Sequence, residues 1–296
     1  MRKGAPSHLA AFRPTSRSMP ELPEVETTLR GLRGYLDQRR IARVEVRREG
    51  LRRPFPPELA QVLTGARITG LTRRAKYGLL HTDRDVTMVF HLGMSGRWRI
   101  EPDALEKHDH LVLTTQAQGP LPAAVLALND ARRFGSVDLV ASAALDLWPA
   151  FAALGPEPLG EALSVAHLAA ALKGRIGPVK VLLLDQGIVA GLGNIYVCEA
   201  LHRAGISPLR AGGKVTRAEL ARLVPAIRAV LEESIRAGGS TIRDYAQPNG
   251  ELGYFAANWR VYGREGQACL TPGCTGTIAR VVQGGRSSFW CPVCQR

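Results

Sequence analysis

The chain has 296 residues, of which 45% are hydrophobic, and it carries a formal net charge of +13. This length suggests two or three domains, and the hydrophobic fraction is ample for packed cores. No apolar run is long enough to cross a membrane, which argues against a membrane protein. The excess positive charge favours a polyanionic partner, most simply nucleic acid; a solvated basic surface without a partner is the alternative.

The first eighteen residues are basic. They include Arg2, Lys3, Arg13 and Arg17 and no acidic residue. A transit peptide fits this composition weakly, and a start codon assigned upstream of the true one, Met19, fits it better. We therefore expect residues 1–19 to be absent from the active protein, which we place in the cytoplasm because no signal peptide is recognisable.

The segment that follows contains a reactive residue, Pro20, with Glu21 and Glu24 close behind it. Removal of Met19 would leave Pro20 with a free secondary amine. Such an amine can attack the anomeric carbon of a sugar and form an iminium that keeps its charge without a proton, which is the chemistry of a covalent lyase. While residues 1–19 remain attached, Pro20 is a tertiary amide and is not nucleophilic.

Periodicity predicts a helix followed by a β-rich region. Leu22, Val25, Leu29 and Leu32 follow helical spacing, and Gly34 is a plausible terminator. Short segments rich in β-branched residues and bounded by turns then predict a β-sandwich. The predicted strands are residues 42–46, 66–71, 78–81, 86–91, 110–115 and 125–129.

A linker at residues 154–159 separates this region from helical segments. Those segments are residues 164–172, 178–184, 194–204 and 217–237. We expect an α+β protein with a β-sandwich domain at 20–150, a helical domain at 151–257 and a cysteine-containing finger at 258–296. A glycine-rich loop, residues 238–253, precedes the finger.

The last region contains two close cysteine pairs, Cys269 with Cys274 and Cys291 with Cys294. Four thiolates in this arrangement predict one tetrahedral structural zinc ion. A pair of disulfides is the alternative, and the absence of a recognisable signal peptide disfavours it. The fifth cysteine, Cys198, lies in a predicted helix and is interpreted as a buried apolar residue.

Several internal motifs have two interpretations each. The turn at residues 191–194 is either a plain connection between helices or a phosphate site in which Lys180 takes part. Residues 129–135 place Arg132 and Phe134 either at a loop tip that enters a duplex or in the core. Met94 has the same two options, and Lys76 either reaches a phosphate or is a surface lysine.

Together these motifs resemble one family. Residues 20–26, 75–77, 91–96, 129–135, 191–196 and the terminal four-cysteine finger occur in this order. Their combination is similar to bacterial formamidopyrimidine-DNA glycosylases, which excise 8-oxoguanine. The resemblance runs from about Met19 to Gln295, and the block at residues 20–26 is its most specific part.

The resemblance implies a β-sandwich with an N-terminal helix, a helix-two-turn-helix domain and a zinc finger, with DNA in the cleft between domains. It implies that Pro20 is the nucleophile, Glu21 the proton donor at the sugar and Glu24 a supporting carboxylate. The residues that would contact DNA are Lys76, Lys180, Asn194 and Arg286 at the phosphates beside the flipped nucleotide, Met94, Arg132 and Phe134 in the gap left by the base, and His91 beside them.

The implied activity is that of a bifunctional glycosylase and abasic-site lyase, acting as a monomer on damaged double-stranded DNA. The related endonuclease VIII type shares the Pro-Glu start and the finger but favours oxidised pyrimidines. Two features favour the purine enzyme: the Arg132–Phe134 tip and the long loop at residues 240–255, which matches a segment that closes over 8-oxoguanine. A catalytically silent DNA binder with a blocked Pro20 is a further possibility. A zinc-ribbon protein of the translation machinery is another, and the Pro-Glu block argues against it.

Overall fold

The computed structural model describes residues 19–240 and 258–296. The extension at residues 1–18 and most of the predicted lid, residues 240–255, lie outside the described residues. Within the described part of the chain, every helix is too short or too polar to span a membrane.

The first helix, α1 (Leu22–Leu36), forms where periodicity predicts it. Pro23 fits its first turn, where the missing N–H has no intrahelical acceptor. Leu22, Val25 and Leu32 are fully buried, and Leu29 is almost so. This apolar stripe packs α1 against β2 (Ile68–Arg74) of the first domain and against the longest helix of the second.

Two four-stranded antiparallel sheets follow α1. One has the strand order β1-β6-β7-β5 and the other β2-β3-β4-β8. Phe90 of the second sheet and Trp98 of the first are both buried and meet edge to face, with ring centroids 5.6 Å apart. The strands are β1 (Ile41–Val46), β2 (Ile68–Arg74), β3 (Tyr77–Thr82), β4 (Val86–His91), β5 (Arg97–Ile100), β6 (Asp109–Thr115), β7 (Val125–Asn129) and β8 (Ser136–Ala141).

The predicted sandwich is therefore present, with three elements that were not predicted individually. Strand β5 has four residues with arginine at alternate positions, so little of it is apolar. Strand β8 contains Asp138, which pairs with Arg53 at 2.8 Å. The short helix α2 (Leu59–Leu63) lies between β1 and β2. Helix α2 and strand β5 are too short for a clear periodic signal, whereas β8 is as long as β3 and β4 and was missed although most of its residues are apolar.

The second domain is helical, as predicted. It follows the short helix α3 (Pro149–Ala152), whose Phe151 packs on Leu79 and Val89 of the sandwich. Its helices are α4 (Val165–Leu172), α5 (Val179–Leu183), α6 (Asn194–Ala204) and α7 (Arg217–Arg236). Helix α6 ends at Gly205, whose φ of 71° is left-handed. Helix α7 begins with a capping box in which the Thr216 hydroxyl and the Glu219 carboxylate bond each other's backbone N–H. The two helices pack together.

The chain ends in a hairpin of β9 (Ala279–Gln283) and β10 (Arg286–Trp290), joined by Gly284 and Gly285. Strand β10 packs on α6. The α+β class with a sandwich, a helical domain and a cysteine-rich terminal hairpin is thus confirmed.

Candidate active site between the two domains

Glu21, immediately before α1, lies at the junction of the two domains and is only 2% exposed. Its Oε1 accepts a hydrogen bond from the backbone N–H of Ile195, 3.0 Å away at the start of α6. A Cβ on Gly193 would lie 2.1 Å from the Glu21 carboxyl carbon, so only glycine fits there. This N–H at the N-terminus of α6, predicted as part of a phosphate site, is therefore bonded to a carboxylate of the chain itself.

The Glu21 carboxyl can hold a proton near neutral pH. Burial raises its pKa to about 7; the Lys76 ammonium opposes that rise and the Glu24 carboxylate adds to it. Its second oxygen, Oε2, has no hydrogen-bond partner among the described residues. A buried acid with one free oxygen and a pKa near the working pH is suited to donating a proton to a ligand.

Glu24 holds the start of α1 in place. It is fully buried, and its Oε2 accepts the Glu21 N–H at 2.9 Å. Its Oε1 accepts the Tyr196 hydroxyl at 2.5 Å and the Ser240 N–H at 2.9 Å. Tyr196 also bonds the Ser234 hydroxyl of α7, at 2.7 Å. Glu24 thus joins α1, α6 and α7 and fixes the backbone on which Glu21 stands.

Two buried lysines interact electrostatically with the Glu21 carboxylate. Lys76, in the β2–β3 turn, is 6% exposed; burial lowers its pKa and the Glu21 carboxylate raises it. Lys180 of α5 is fully buried, and its Nζ has no hydrogen-bond partner in the described residues. Burial lowers the pKa of Lys180 too, and the Arg286 cation lowers that of both lysines. A buried amine such as that of Lys180, without a hydrogen-bond partner among the described residues, marks a place for an external anion.

Arg286 reaches this region from the finger. It begins β10 directly after Gly284 and Gly285, both left-handed with φ of 55° and 73°, and it is exposed. The Asn194 Nδ2 donates to the Ser287 carbonyl at 2.9 Å, which ties the finger hairpin to α6. The Asn194 Oδ1 has no partner within the described residues. The unbonded Oδ1 is an acceptor, so an external phosphate at Asn194 would have to be bound through an N–H donor of this residue, and its Nδ2 already bonds Ser287.

The loops at residues 91–96 and 129–135 form one unit. A Cβ on Gly93, whose φ is 63°, would lie 2.3 Å from the Phe134 carbonyl carbon, so the two backbones touch. Asp130 is fully buried; it accepts the Ser95 hydroxyl at 2.5 Å and the Gly135 N–H at 2.9 Å. The same Ser95 oxygen accepts the Arg132 N–H at 3.1 Å. These bonds hold the two loops together.

This unit presents three side chains away from the core. Phe134 is 45% exposed, which excludes the interpretation that it is a core residue. The Arg132 guanidinium lies over its ring, 4.7 Å from the centroid, and Met94 is half-buried. His91, behind them, stacks on Tyr77 with ring centroids 4.8 Å apart, and burial lowers its pKa to about 4, so its ring is neutral at pH 7.

The four terminal cysteines form one cluster whose Sγ atoms all lie within 4.8 Å of one another. Cys269 and Cys294 are 3.7 Å apart, and Cys274 and Cys291 are 3.6 Å apart. Tetrahedral zinc with bonds of about 2.3 Å needs sulfur–sulfur distances of roughly 3.8 Å, and the cluster fits that. The cysteines are free thiols, so the disulfide alternative is wrong, and Cys198 is buried elsewhere in α6.

Sequence reasoning missed residues that organise the site. Tyr196 belongs to a quoted motif, but its partners Glu24 and Ser234 are distant in the chain. Glu199, fully buried in α6, accepts the backbone N–H groups of residues 260–262 at 2.9–3.1 Å and so anchors the segment leading to the finger. Glu157 in the linker bonds the turn before Lys76. An acid inside an otherwise apolar helix was the available signal for Glu199.

The described residues place a buried acid and two lysines at the junction of two domains, with a zinc finger beside them. An exposed aromatic ring under a guanidinium lies on the first domain. These features define a class of zinc-finger proteins whose charged groups lie between two domains. Three family models match the chain: the formamidopyrimidine-DNA glycosylase N-terminal domain at residues 19–137, the H2TH domain of that enzyme at 154–246, and a zinc finger found in FPG and IleRS at 266–296. The chain belongs to the formamidopyrimidine-DNA glycosylase family.

Individual relatives agree with this assignment. The formamidopyrimidine-DNA glycosylase of Novosphingobium aromaticivorans is 69% identical over 278 residues, which are 94% of this chain and all of the relative. The crystal structure of the Thermus thermophilus MutM (Fpg) protein is 40% identical, with a TM-score of 0.81 over 93% of this chain and 98% of that one. A Lactococcus lactis Fpg variant solved with DNA containing Fapy-dG is 32% identical, with a TM-score of 0.84 over 94% and 100%.

Proposed function

We propose that Pro20, once it is the N-terminal residue, is the nucleophile of this enzyme and that Glu21 is its acid. The protein is a base-excision DNA glycosylase for oxidised purines, as its family membership and high identity to named members establish. Abasic-site lyase activity is typical of this family. The observation that carries the residue assignment is the free Oε2 of a buried, protonatable Glu21 directly beside Pro20.

The reaction follows from these groups. The Pro20 nitrogen forms a bond to the anomeric carbon, and the bond from that carbon to the damaged base breaks with its electron pair leaving on the base. The departing base takes up the proton that the Pro20 nitrogen loses. Glu21 gives its proton to the sugar-ring oxygen, the ring opens, and an iminium remains on Pro20. The iminium acidifies the adjacent carbon, so that β-elimination and then δ-elimination release the phosphates on both sides.

Around this centre we assign the anion-binding roles to Lys76, Lys180, Asn194 and Arg286. Both lysines are buried, the Lys180 Nζ has no hydrogen-bond partner among the described residues, and Arg286 approaches both lysines from the finger. Backbone phosphates on either side of a nucleotide drawn out of the stack would supply the missing negative charge.

The unit of Met94, Arg132 and Phe134 takes the space that the nucleotide leaves. An exposed aromatic ring covered by a guanidinium can replace one stacked base, and Arg132 can bond the orphaned partner. His91 supports the unit from behind as a neutral ring. This role requires a duplex, and we infer that one protein molecule binds one damaged double-stranded site in the bacterial cytoplasm.

The structural zinc ion, when bound, cross-links the hairpin that carries Arg286. The residues that would hold it are Cys269, Cys274, Cys291 and Cys294. Hydrogen bonds within the protein also position this hairpin. The Asn194–Ser287 bond and the bonds from Glu199 to residues 260–262 hold it against α6.

The N-terminus decides whether Pro20 can react. The match to the family's N-terminal model begins at residue 19, and Pro20 itself is buried beside Glu21. Protein beginning at Met19, processed to Pro20, should become covalently trapped on abasic duplex under borohydride. Protein whose intact mass includes Met1 should bind the duplex without trapping.

Two variants sharpen this test. In protein beginning at Met19, Pro20→Gly should slow trapping because a primary amine replaces the constrained secondary one, whereas Lys76→Ala should still trap. Efficient trapping by mass-verified full-length protein would identify another amine, such as Lys76, as the nucleophile and refute the assignment of Pro20.

A further inference from the structure

The linker between the domains contains a carboxylate, Glu157, that binds the turn before Lys76. Its Oε2 lies 2.6 Å from Arg73 Nη1, and its Oε1 lies 3.0 Å from Arg74 Nη1. The same Oε1 accepts the backbone N–H of Ala75 at 2.5 Å. The three donors are consecutive residues, so this one carboxylate defines the path of the chain into Lys76.

The turn needs such a restraint. Ala75 has a φ of 52°, a left-handed conformation that is strained for a residue with a Cβ. Ala75 is also 1% exposed, so its backbone N–H would be unsatisfied without the Glu157 oxygen. Relaxation of Ala75 to an ordinary backbone conformation would redirect Lys76, the next residue.

The other side of the linker is bonded to the segment that leads to the Glu21 site. The Gly155 N–H donates to the Gln186 carbonyl at 2.8 Å, and the Ala190 N–H donates to the Pro156 carbonyl at 3.1 Å. The Gln186 side chain in turn accepts the Gly191 N–H at 2.9 Å. A bonded path therefore runs from the turn that abuts Glu21, through the linker, to the turn that carries Lys76.

We propose that Glu157 is a positioning residue of the glycosylase: it holds Ala75 left-handed and thereby aims Lys76 at the reacting site, so that the interdomain linker is part of the active-site framework. The inference rests on the proposed role of Lys76. Glu157 does not touch the Glu21 carboxyl in the described structure and acts only through the turn. The linker thus sets the geometry of the site as well as connecting the domains.

A double-mutant cycle with Lys76→Ala tests this on the active protein, with single-turnover excision of 8-oxoguanine as the readout. A misplaced Lys76 should make Glu157→Gln slower by about tenfold to a hundredfold, with duplex affinity changed far less. If Glu157 acts through Lys76, the double variant should be no slower than Lys76→Ala alone. Independent, multiplying losses would overturn the proposal.

The chain offers a matched control in Asp83. Its side chain is 27% exposed, against 25% for Glu157, and it also lies near two arginines, Arg40 and Arg67. It accepts a backbone N–H too, that of Arg67 at 2.8 Å, but in the β3–β4 turn. Asp83→Asn removes the same charge and should leave the excision rate unchanged; an equal loss in both variants would mean that the effect is general destabilisation.

Rescue provides a readout that loss of stability would not give. Glycine adopts a left-handed φ without strain, so Ala75→Gly added to Glu157→Gln should restore most of the rate.

The dependence of the excision rate on pH should change as well. Lys76 lowers the pKa of Glu21, so displacement of Lys76 should raise that pKa. The fall in excision rate at alkaline pH should therefore occur at higher pH in Glu157→Gln than in the unsubstituted protein. If Ala75→Gly restored no activity and the pH at which excision falls did not move, the inference would be overturned. If Lys76→Ala left the excision rate unchanged, the proposed role of Lys76 would be overturned together with the inference.

Discussion

At the scale of single residues, the Glu21 carboxyl combines burial with an oxygen that no described residue bonds. Both features raise the free energy of the ionised form in the folded protein. The same features make it a usable acid near pH 7, because its pKa is raised to about 7. The reaction therefore depends on a carboxyl whose burial lowers the stability of the folded protein when it is ionised.

We expect excision to decline as the pH rises through about 7, the pKa of Glu21, because the acid form is consumed. Glu21→Gln cannot donate a proton; it should lower single-turnover excision by about a hundredfold or more and abolish this alkaline limb. Single-turnover excision rates measured across the pH range in both proteins test this. If the rate of Glu21→Gln still fell at alkaline pH, that fall would be due to a group other than Glu21.

The same substitution should stabilise the folded protein. The pKa of Glu21 rises from 4.5 to about 7 on folding, so its contribution to stability is favourable below pH 4.5 and is lost as the pH rises through 7. Glu21→Gln should therefore raise the free energy of unfolding at pH 8 by about 3 kcal/mol at most, and much less at pH 4. Denaturant unfolding at both pH values checks this, with Glu45→Gln, at a half-buried surface position, as the control. An equal effect of Glu21→Gln at both pH values would contradict the prediction.

At the scale of elements, the loops at residues 91–96 and 129–135 act as one unit because Asp130 and Ser95 bind both. Phe134 is exposed, whereas Phe90 in β4 is fully buried. Phe134→Ala should weaken binding to a lesion duplex by about tenfold, the equivalent of losing one stacked base, and leave the unfolding midpoint nearly unchanged.

Phe90→Ala is the contrasting variant. It opens a cavity between the two sheets and should cost about 3–5 kcal/mol of stability. Fluorescence anisotropy for binding and thermal melts for stability separate the two effects. If Phe134→Ala melted like Phe90→Ala, Phe134 would be supporting the fold instead of contacting DNA.

The finger is the second element whose role can be isolated. Cys291→Ser removes one of four ligands, and chelation removes the metal; both should abolish specific duplex binding, because the hairpin carrying Arg286 loses its cross-link. Cys198→Ala, a buried thiol outside the cluster, should keep both zinc content and binding. Lesion binding by metal-free protein would refute the requirement.

At the scale of the whole molecule, the net charge of +13 implies binding that depends steeply on salt. If Arg286 contacts a phosphate, Arg286→Ala should reduce the slope of log affinity against log salt by about 0.9. Arg43→Ala, which removes an exposed arginine paired with Glu45 on β1, should leave the slope unchanged. Binding titrations at several salt concentrations measure these slopes. Equal slopes in the unsubstituted protein, Arg286→Ala and Arg43→Ala would exclude a phosphate contact by Arg286.

The sequence was informative wherever the signal is local. The periodicity of α1 and the cysteine spacing each predicted what the structure contains, and the block at residues 20–26 indicated the family. Pairings across long separations could not be predicted: Glu24 meets Tyr196 and Ser240, which lie 172 and 216 residues away along the chain. No local pattern encodes such partners, and for the same reason the turn at residues 191–194 suggested a phosphate where Glu21 lies.

The contact between Gly193 and the Glu21 carboxyl has a genetic consequence. A side chain at position 193 would occupy the space of that carboxyl, and one at Gly93 would occupy the backbone beside Phe134. Neither glycine has a group that reacts or binds. A mutator screen in the host cell should nevertheless recover null alleles at both codons, even for alanine, because the space they leave empty is as necessary to the enzyme as its acid.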